Sequence, residues 1–375
     1  MKYTMTSILV DKNQWINYQN EALNYLNTTK KGKVSQQDIL SYASRGVILL
    51  EKQKIFTDVL KDRESNKVAF MPIAENIHMN VDSISFDLKT YYLENYLDDL
   101  TLDFKPTNDF VLSDTDEKIN NFVDDYVKNQ SPRKFRTTDD IEPNDHVILD
   151  AFDPISKRRQ RFELLAKADK DSTLESKLVG MKPKSTFDFD LETTKLQITI
   201  IDVFYYLDEK LNDDNVKEMQ IPGVFDLKSL KDFIFYTTKE EVVTNSLFTY
   251  GMNIYKEIKK FNKPIDFPQD LIQSDIEGFN FDEKFEGDKV AIVKETLTDF
   301  FWLNVISKKY DIFISNEEIK EEIAKVKASL NPVMEEQIDP RRISDAILMQ
   351  KLGTIFLKKY HSDTYTEIEK YLRFK

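Results

Sequence analysis

Apolar and polar residues along the first hundred positions follow patterns that predict a small sheet covered by helices. Strands are expected at residues 6–10, 68–71 and 83–92. Helices are expected at residues 13–26, 36–44 and 47–63, the last two separated at Gly46. Ile16, Leu23 and Leu26 are the apolar positions of the first helix. Strands and helices mixed in this way indicate an α+β domain.

The pattern changes twice further along the chain. Short strands are expected at residues 146–152, 161–165, 187–191 and 196–205. After residue 206 the spacing is helical, and helices are expected at residues 227–235, 239–261, 290–310 and from Pro340 onward.

Helix starts can be read from short polar motifs. Ser113 with Asp116, and Ser315 with Glu318, have the spacing of capping boxes. The first would open a linker helix that ends near residue 128. Asp339 followed by Pro340 has the residues expected at the N-cap and first helical position. Residues 131–144, which carry two prolines and mixed charge, are the expected domain boundary.

A loop of three lysines and one glycine lies between the first two expected helices. Lys30, Lys31, Gly32 and Lys33 would stand at the tip of a helical hairpin. Glycine permits a positive φ and lysine carries a cation on a long stem, so such a tip can meet phosphates or carboxylates. A solvated lysine-glycine turn is the simpler interpretation of the loop taken by itself.

The order strand, helix, lysine-glycine loop and two further helices resembles the ribosome-binding domain of the trigger factor family. The family's loop reads glycine, phenylalanine, arginine, lysine, glycine, lysine, valine, proline. Lys30 replaces the arginine. Four positions match: Lys31, Gly32, Lys33 and Val34. The other four positions differ: Thr28, Thr29, Lys30 and Ser35.

This resemblance implies a multidomain α+β architecture in four parts. They are a ribosome-binding head at residues 1–110, a linker helix and boundary at 111–144, a reduced FKBP-like β-rich domain at 145–206, and an elongated all-helical C-terminal chaperone body with arms at 207–375. Lys30, Lys31, Gly32 and Lys33 would then dock on the large ribosomal subunit near the tunnel exit, contacting protein and rRNA.

Residues 174–182 resemble the turn and short helix of the FKBP-type prolyl isomerase domain that the family carries here. Prolyl isomerisation needs an apolar, aromatic-walled pocket rather than a titrating residue. Phe152 and Phe204 are candidates for a remnant of that pocket, although aromatic residues at alternating strand positions are more often core. The flap is shortened to residues 192–195, so we expect no catalytic residue and no substantial isomerase activity.

Charge and composition narrow the choice of partners. The 53 basic and 66 acidic residues leave a net charge of −13, so any contact with RNA must be local. Four cations in five residues form a second candidate contact with RNA, with a solvated turn as the alternative: Lys157, Arg158, Arg159 and Arg161. The chain has no cysteine and no apolar run long enough to cross a membrane, which favours a soluble cytoplasmic protein.

Motifs for nucleotides and metals are missing from the sequence. It contains no Walker loop and no Rossmann fingerprint, and its histidines, His78, His146 and His361, are far apart, so we expect no cofactor and no metal. The resemblance implies an ATP-independent chaperone of nascent or unfolded polypeptides at the ribosomal tunnel exit. A free holdase without ribosome binding, a prolyl isomerase and a helical scaffold for one partner are the alternatives, and a homodimer is left open.

Overall fold

The computed structural model describes residues 1–29, 32–61, 67–94, 99–168, 173–191, 194–279, 281, 285–329 and 338–374. The chain divides into two units, and each unit contains two separate segments. Unit 1 consists of Met1–Pro106 and Tyr255–Phe313. Unit 2 consists of Thr107–Ile254 and Ile314–Lys375. The four parts expected from the sequence stay predictions.

The described residues form nine β-strands and ten α-helices, in agreement with the expected α+β class. The strands are β1 (Lys2–Leu9), β2 (Lys67–Ala69), β3 (Ile73–Met79), β4 (Ile84–Glu94), β5 (Arg133–Phe135), β6 (His146–Phe152), β7 (Arg159–Leu165), β8 (Thr186–Leu191) and β9 (Thr194–Tyr206). The helices are α1 (Lys12–Thr29), α2 (Gln36–Lys61), α3 (Asp116–Asn129), α4 (Leu174–Leu178), α5 (Leu227–Phe261), α6 (Gln269–Gly278), α7 (Lys289–Lys309), α8 (Asn316–Ser329), α9 (Pro340–Tyr360) and α10 (Ser362–Ile368).

The sheet of unit 1 is built around β4. β1 pairs antiparallel with one edge of β4, while β2 and β3 pair successively along the other edge. Alternation along β4 places Ile84, Phe86 and Leu88 on the face that packs against α1 and α2. Trp15 of α1 is fully buried in this core, and its indole N–H donates a hydrogen bond to the carbonyl of Asn80 at 2.8 Å.

The helices of this hairpin differ from the prediction in one respect. α2 continues through Gly46, where a break was expected. Gly46 is exposed and a Cβ there would meet nothing within 4 Å, so the residue imposes no bend. An interior glycine costs only about 1 kcal/mol relative to alanine, and the buried side chains of Ala43 and Val47 on either side offset it. β3 was missed by the sequence analysis.

Unit 2 contains a five-stranded antiparallel sheet. Its order is β5-β9-β6-β7, and β8 also pairs with β9. The four strands expected between residues 146 and 205 are present within two residues of their predicted ends. One face of the sheet carries the core side chains Val147, Leu149, Ile198 and Ile200, all fully buried. β5 lies within the segment interpreted as a boundary, and it pairs with β9.

The helices of unit 2 follow the predicted apolar pattern, but they divide differently. α5 is one helix over Leu227–Phe261, where two were expected. Val243, Leu247, Tyr250 and Ile254 line its buried face, as the spacing predicts. The short helix α10 after α9 was not predicted.

Two of the three predicted helix starts are confirmed. Ser315 and Glu318 exchange hydrogen bonds, with the Ser315 N–H donating at 2.8 Å and the Glu318 N–H donating to the serine hydroxyl at 3.1 Å. The Asp339 side chain accepts from the Arg341 N–H at 2.9 Å. The predicted start at Ser113 is wrong, because the N-cap of α3 is Thr115. The Ser113 N–H instead donates to the hydroxyl of Ser246.

Candidate functional site

The loop between α1 and α2 joins the two helices of the N-terminal hairpin. Lys30 and Lys31 lie outside the described residues. Gly32 has a φ of +130°, a conformation that favours glycine, and a Cβ there would meet nothing within 4 Å. The side chain of Lys33 is exposed. Gly32 and Lys33 therefore occupy open space at the end of the hairpin.

Polar side chains on both sides of this loop hold the ends of its helices. The hydroxyls of Thr28 and Thr29 donate to the carbonyl of Tyr25 at 2.7 and 2.9 Å, in the last turn of α1. The Ser35 N–H donates to Asp38 at 2.9 Å, and the Asp38 N–H donates back to the Ser35 hydroxyl at 3.2 Å. Three of the four positions that depart from the trigger factor signature, Thr28, Thr29 and Ser35, thus have a local structural role at the helix ends.

An aromatic pair links the two helices near the loop. The rings of Tyr25 in α1 and Tyr42 in α2 stack with centroids 4.9 Å apart and planes 21° apart. Both residues stay largely open to solvent, at 50% and 42% exposure. Neither tyrosine is among the site residues predicted from the sequence. A tyrosine in the last turn of one helix and another in the early turns of the next was the available signal.

The basic cluster predicted from the sequence lies at the hairpin between β6 and β7. Its four residues are exposed: Lys157, Arg158, Arg159 and Arg161. Arg159 faces Asp150 at 3.4 Å, and its guanidinium lies 5.4 Å from the ring centroid of Phe152. Among the described residues, no carboxylate lies within 4.0 Å of the other three cations. The hairpin therefore keeps a local positive charge on an acidic protein.

The turn of this hairpin is fixed by Asp153. Its carboxylate accepts from the Ser156 hydroxyl at 2.6 Å and from the Ile155 N–H at 2.8 Å. These hydrogen bonds, with the serine hydroxyl contributing most, hold the pKa of Asp153 below its ordinary value. Lys157 has a φ of +58° in the same turn. The cations thus project from a turn with a defined backbone.

The two aromatic residues proposed as a pocket remnant are not brought together. His146, at one end of β6, pairs with Phe204 of β9, whereas Phe152, at the other end, pairs with Gln197. Six residues of strand separate these positions, which is about 20 Å. Phe204 is buried against the rings of Phe135, His146 and Tyr206. Phe152 and Phe204 therefore do not line a common pocket.

A polar cleft of about 480 Å³ opens beside Phe204. Its residues are Arg136, Glu142, Pro143, Asn144, Asp145, His146, Tyr205 and Tyr206. Arg136 donates to Asp145 at 2.6 Å and to Glu142 at 2.5 Å. Burial lowers the pKa of Arg136, but the two carboxylates outweigh it and leave the pKa above its ordinary value. Two carboxylates against one guanidinium leave the cleft with a formal charge of about −1, and the guanidinium is already bonded to both carboxylates.

Neither a metal-binding group nor a membrane-spanning helix is found in the part of the chain that the structure describes. In the described part of the chain, no group of three or more histidine, aspartate or glutamate residues is arranged to hold a metal ion. No helix among the described residues combines the length and apolarity that crossing a bilayer requires.

Exposed apolar side chains occur in both units, and some of them form groups. Phe279 and Phe285, which follow α6 in unit 1, are exposed, and both contact the half-buried ring of Phe281, with centroids 4.8 and 5.1 Å apart. Leu49 and Leu50 are neighbouring exposed residues on α2. Single exposed apolar residues are ordinary, whereas grouped ones mark interaction surfaces. The groups are candidates for binding apolar segments of another polypeptide.

Comparisons with known proteins find similarity among solved structures. No family profile matches this chain, and no curated protein matches it. Among solved structures, the chain is similar to the trigger factor chaperone, in a structure described for promiscuous substrate recognition in folding and assembly activities. The match covers 95% of this chain and 97% of that chain, at 13% sequence identity and a TM-score of 0.33.

Proposed function

We propose that this protein is an ATP-independent chaperone that holds unfolded or nascent polypeptides and docks on the ribosome through the loop at residues 30–33. The observation that carries the proposal is the grouping of exposed apolar side chains on the protein. These groups include the stacked tyrosines 25 and 42 and the phenylalanines 279 and 285, which contact the ring of Phe281.

Small apolar groups suit the holding of unfolded chains for a physical reason. Hydrophobic attraction is non-directional and scales at about 25 cal/mol per Å² of buried apolar surface, so it does not require a particular client sequence. Each group is small, and each contact is correspondingly weak. Several weak contacts can retain a flexible chain and still release it without nucleotide hydrolysis.

Ribosome docking is supported by the loop itself. Gly32 adopts a positive φ and Lys33 is exposed at the end of the α1–α2 hairpin. The capping bonds of Thr28, Thr29 and Ser35 define both ends of the loop. A short cationic tip of this kind can approach phosphates on a protein whose net charge is −13. The exposed hairpin at Arg158 and Arg159 is a candidate for a second, weaker contact.

The holding activity is tested by light scattering of a reporter enzyme diluted from guanidinium chloride. The wild-type protein should suppress aggregation, and a variant with Tyr25→Ser, Tyr42→Ser, Phe279→Ser and Phe285→Ser should suppress it several-fold less. A matched control removes singly exposed apolar residues by Val111→Ser and Ile155→Ser. Equal suppression by all three proteins would contradict the role given to the groups.

Docking is tested by co-sedimentation with purified ribosomes. The Lys30→Ala/Lys31→Ala/Lys33→Ala variant should stay in the supernatant under conditions where the wild type pellets. If each lysine neutralises one phosphate, a fourfold rise in salt should weaken binding roughly 20- to 40-fold. Arg158→Glu/Arg159→Glu should weaken binding less than the loop variant does. If the wild type does not pellet at low salt while it still suppresses aggregation, a free holdase replaces the docked chaperone.

A prolyl isomerase is a further alternative. The distance between Phe152 and Phe204 gives it no support. A protease-coupled peptide assay should therefore show no substantial turnover, and robust turnover would overturn this preference.

A further inference from the structure

β1 is the outermost strand of the unit 1 sheet. It pairs with β4 without a bulge, from Lys2 opposite Tyr92 to Leu9 opposite Ser85. Among the described residues, no strand pairs with its other edge. Every residue of β1 except Ile8 is exposed.

The backbone groups of β1 divide into two sets. The Val10 N–H, just after the strand, donates to the Ile84 carbonyl at 3.2 Å. In an antiparallel pair the residues that bond to the partner alternate, so Thr4, Thr6 and Ile8 point their backbone groups at β4. The intervening residues point their N–H and C=O groups away from the sheet: Tyr3, Met5, Ser7 and Leu9.

A hydrogen bond between β4 and Phe70, the residue after β2, agrees with this assignment. Tyr91 lies opposite Tyr3, and its carbonyl accepts from the Phe70 N–H at 2.9 Å rather than from β1. Four outward-pointing residues thus offer an unused ladder of donors and acceptors along the free edge. An edge of eight residues is about 26 Å long.

Three of the four β1 side chains on one face of the sheet are apolar, and the fourth, Ser7, donates a hydrogen bond to Asp87 at 2.6 Å. Tyr3, Met5 and Leu9 lie on the face away from α1 and α2 and are 55%, 45% and 77% exposed. Tyr3 is held in place by an edge contact with Tyr91 and by Lys89, whose ammonium lies 4.9 Å from the Tyr3 ring. The spacing of two residues matches the side-chain repeat of an added strand.

Natural edge strands usually carry features that prevent pairing with other chains. These features are a central lysine, a proline, a bulge or a very short strand. β1 has none of the four. It is eight residues long without a proline or a bulge, and its one charged residue, Lys2, stands at its end and is paired with Glu94. An edge that lacks this protection is suited to accept a strand.

We propose that the free edge of β1 binds an extended, uncharged, apolar segment of an unfolded polypeptide as an added strand of the unit 1 sheet. The identity of the occupant rests on the proposed chaperone function. Main-chain hydrogen bonds make the binding independent of client sequence, while Tyr3, Met5 and Leu9 favour apolar side chains at alternate positions. The absence of charge along the middle of β1 is complementary to an uncharged segment.

Area argues against a second copy of this chain as the occupant. An edge about 26 Å long and about 10 Å deep presents roughly 260 Å² to a partner. Stable protein–protein interfaces need about 800 Å² on each side. A flexible peptide can bind and leave such a short edge, as client holding requires.

The probe is a fluorescein-labelled peptide of eight alternating valines and threonines, flanked by one lysine at each end. Its control ligand is the same peptide with all eight valines and threonines N-methylated, which removes the donors of both of its edges. We expect the methylated peptide to bind at least about tenfold more weakly, because several hydrogen bonds are lost. Equal affinities would overturn the proposal.

Protein variants test the same edge. Met5→Pro removes an outward N–H without removing a bond to β4 and should weaken peptide binding about tenfold, whereas Met5→Ala, which keeps the N–H, should weaken it less than about threefold. Far-ultraviolet circular dichroism checks that both variants fold. Equal losses in the two folded variants would contradict the assigned edge.

Hydrogen exchange gives a readout that needs no variant. With the full-length protein and saturating peptide, the amides of Tyr3, Met5, Ser7 and Leu9 should gain protection. The intervening amides should change little, because they already bond to β4. No gain at the four amides would overturn the proposal even if the protein suppresses aggregation. Gain at them without aggregation suppression would leave the edge site standing and refute the chaperone function.

Pairing of β1 with the β1 strand of a second copy of this protein would give a different result. If the four amides are protected without peptide, and the protection increases with protein concentration together with the sedimentation mass, then the edge pairs with itself. That result would replace the proposed occupant.

Discussion

Gly251 of α5 and Gly353 of α9 allow the backbones of their two helices to touch. A Cβ on Gly251 would lie 1.9 Å from the Met349 carbonyl oxygen, and a Cβ on Gly353 would lie 2.4 Å from the Leu247 carbonyl oxygen. Real Cβ atoms essentially never approach other atoms so closely. The two glycines therefore set how closely these helices of unit 2 pack.

Alanine at either glycine should destabilise the protein. We expect Gly251→Ala or Gly353→Ala to lower the free energy of unfolding by at least about 2 kcal/mol, because the contacted atoms belong to backbone and cannot rotate away. The measurement is urea denaturation followed by circular dichroism. Gly46→Ala in α2 is the matched control and should raise stability by about 0.5–1 kcal/mol, since its Cβ would be free of contacts.

Arg373 fastens the end of unit 2 to two helices. Its guanidinium donates to Glu240 at 2.6 Å, to Glu241 at 2.8 Å and to Glu322 at 3.2 Å. Arg373→Met leaves the partly buried carboxylates of Glu240 and Glu322 without this cation, so we expect a loss of about 2–4 kcal/mol in the free energy of unfolding.

The control for this prediction removes a second cation from the same carboxylate. Lys325 bonds to Glu240 at 2.9 Å but is half exposed. Lys325→Met should cost less than about 1 kcal/mol in a parallel urea titration. Similar losses in the two variants would show that Arg373 has no special role.

The contact of Asp270 with β4 should make unit 1 sensitive to acid. Lys89 donates to Asp270 at 2.7 Å, and the Tyr91 hydroxyl donates at 2.7 Å to the same oxygen. Burial raises the pKa of Asp270, but these hydrogen bonds outweigh it and hold the pKa below its ordinary value of 3.8. The bond to Asp270 also raises the pKa of Lys89 above its ordinary 10.5.

A depressed carboxyl pKa stabilises the fold above the unfolded value and loses that effect as pH falls through the folded value. A raised lysine pKa stabilises the fold at pH values below the ordinary lysine pKa of 10.5. The difference in unfolding free energy between wild type and Asp270→Asn, about 1 kcal/mol, should therefore be constant from pH 5 to 9 and disappear below pH 3.8. Asp82→Asn, which removes the carboxylate of the exposed pair with Lys12, is the matched control and should change the free energy of unfolding by less than about 1 kcal/mol at neutral pH.

Trp15 and Ile16 are neighbours in α1, but substitutions at the two positions should differ in their effect on stability. Trp15→Phe leaves the Asn80 carbonyl without its buried donor and should lower the free energy of unfolding by about 1–3 kcal/mol. Ile16 is one of the apolar positions from which the helix was predicted, but it is 39% exposed, so Ile16→Ala should change stability by less than about 0.5 kcal/mol. Thermal denaturation of both variants checks the order.

The sequence by itself determined the features whose cause is local. Strands between residues 146 and 205, the buried face of α5 and the caps at Ser315 and Asp339 depend on side-chain periods of two or 3.6 residues and on hydrogen bonds within one turn. The loop that contains Gly32 could be predicted from the sequence for the same reason. Gly32 and its positive φ are properties of a few adjacent residues.

Tertiary structure decided what depends on partners distant in sequence. Gly46 does not end a helix because α2 gains packing from the sheet, whereas Gly251 is required because Met349 approaches it from another helix. Register decided that Phe152 and Phe204 lie at opposite ends of β6. The free edge of β1 was likewise invisible in sequence, because pairing depends on which strands meet and not on the pattern within any one of them.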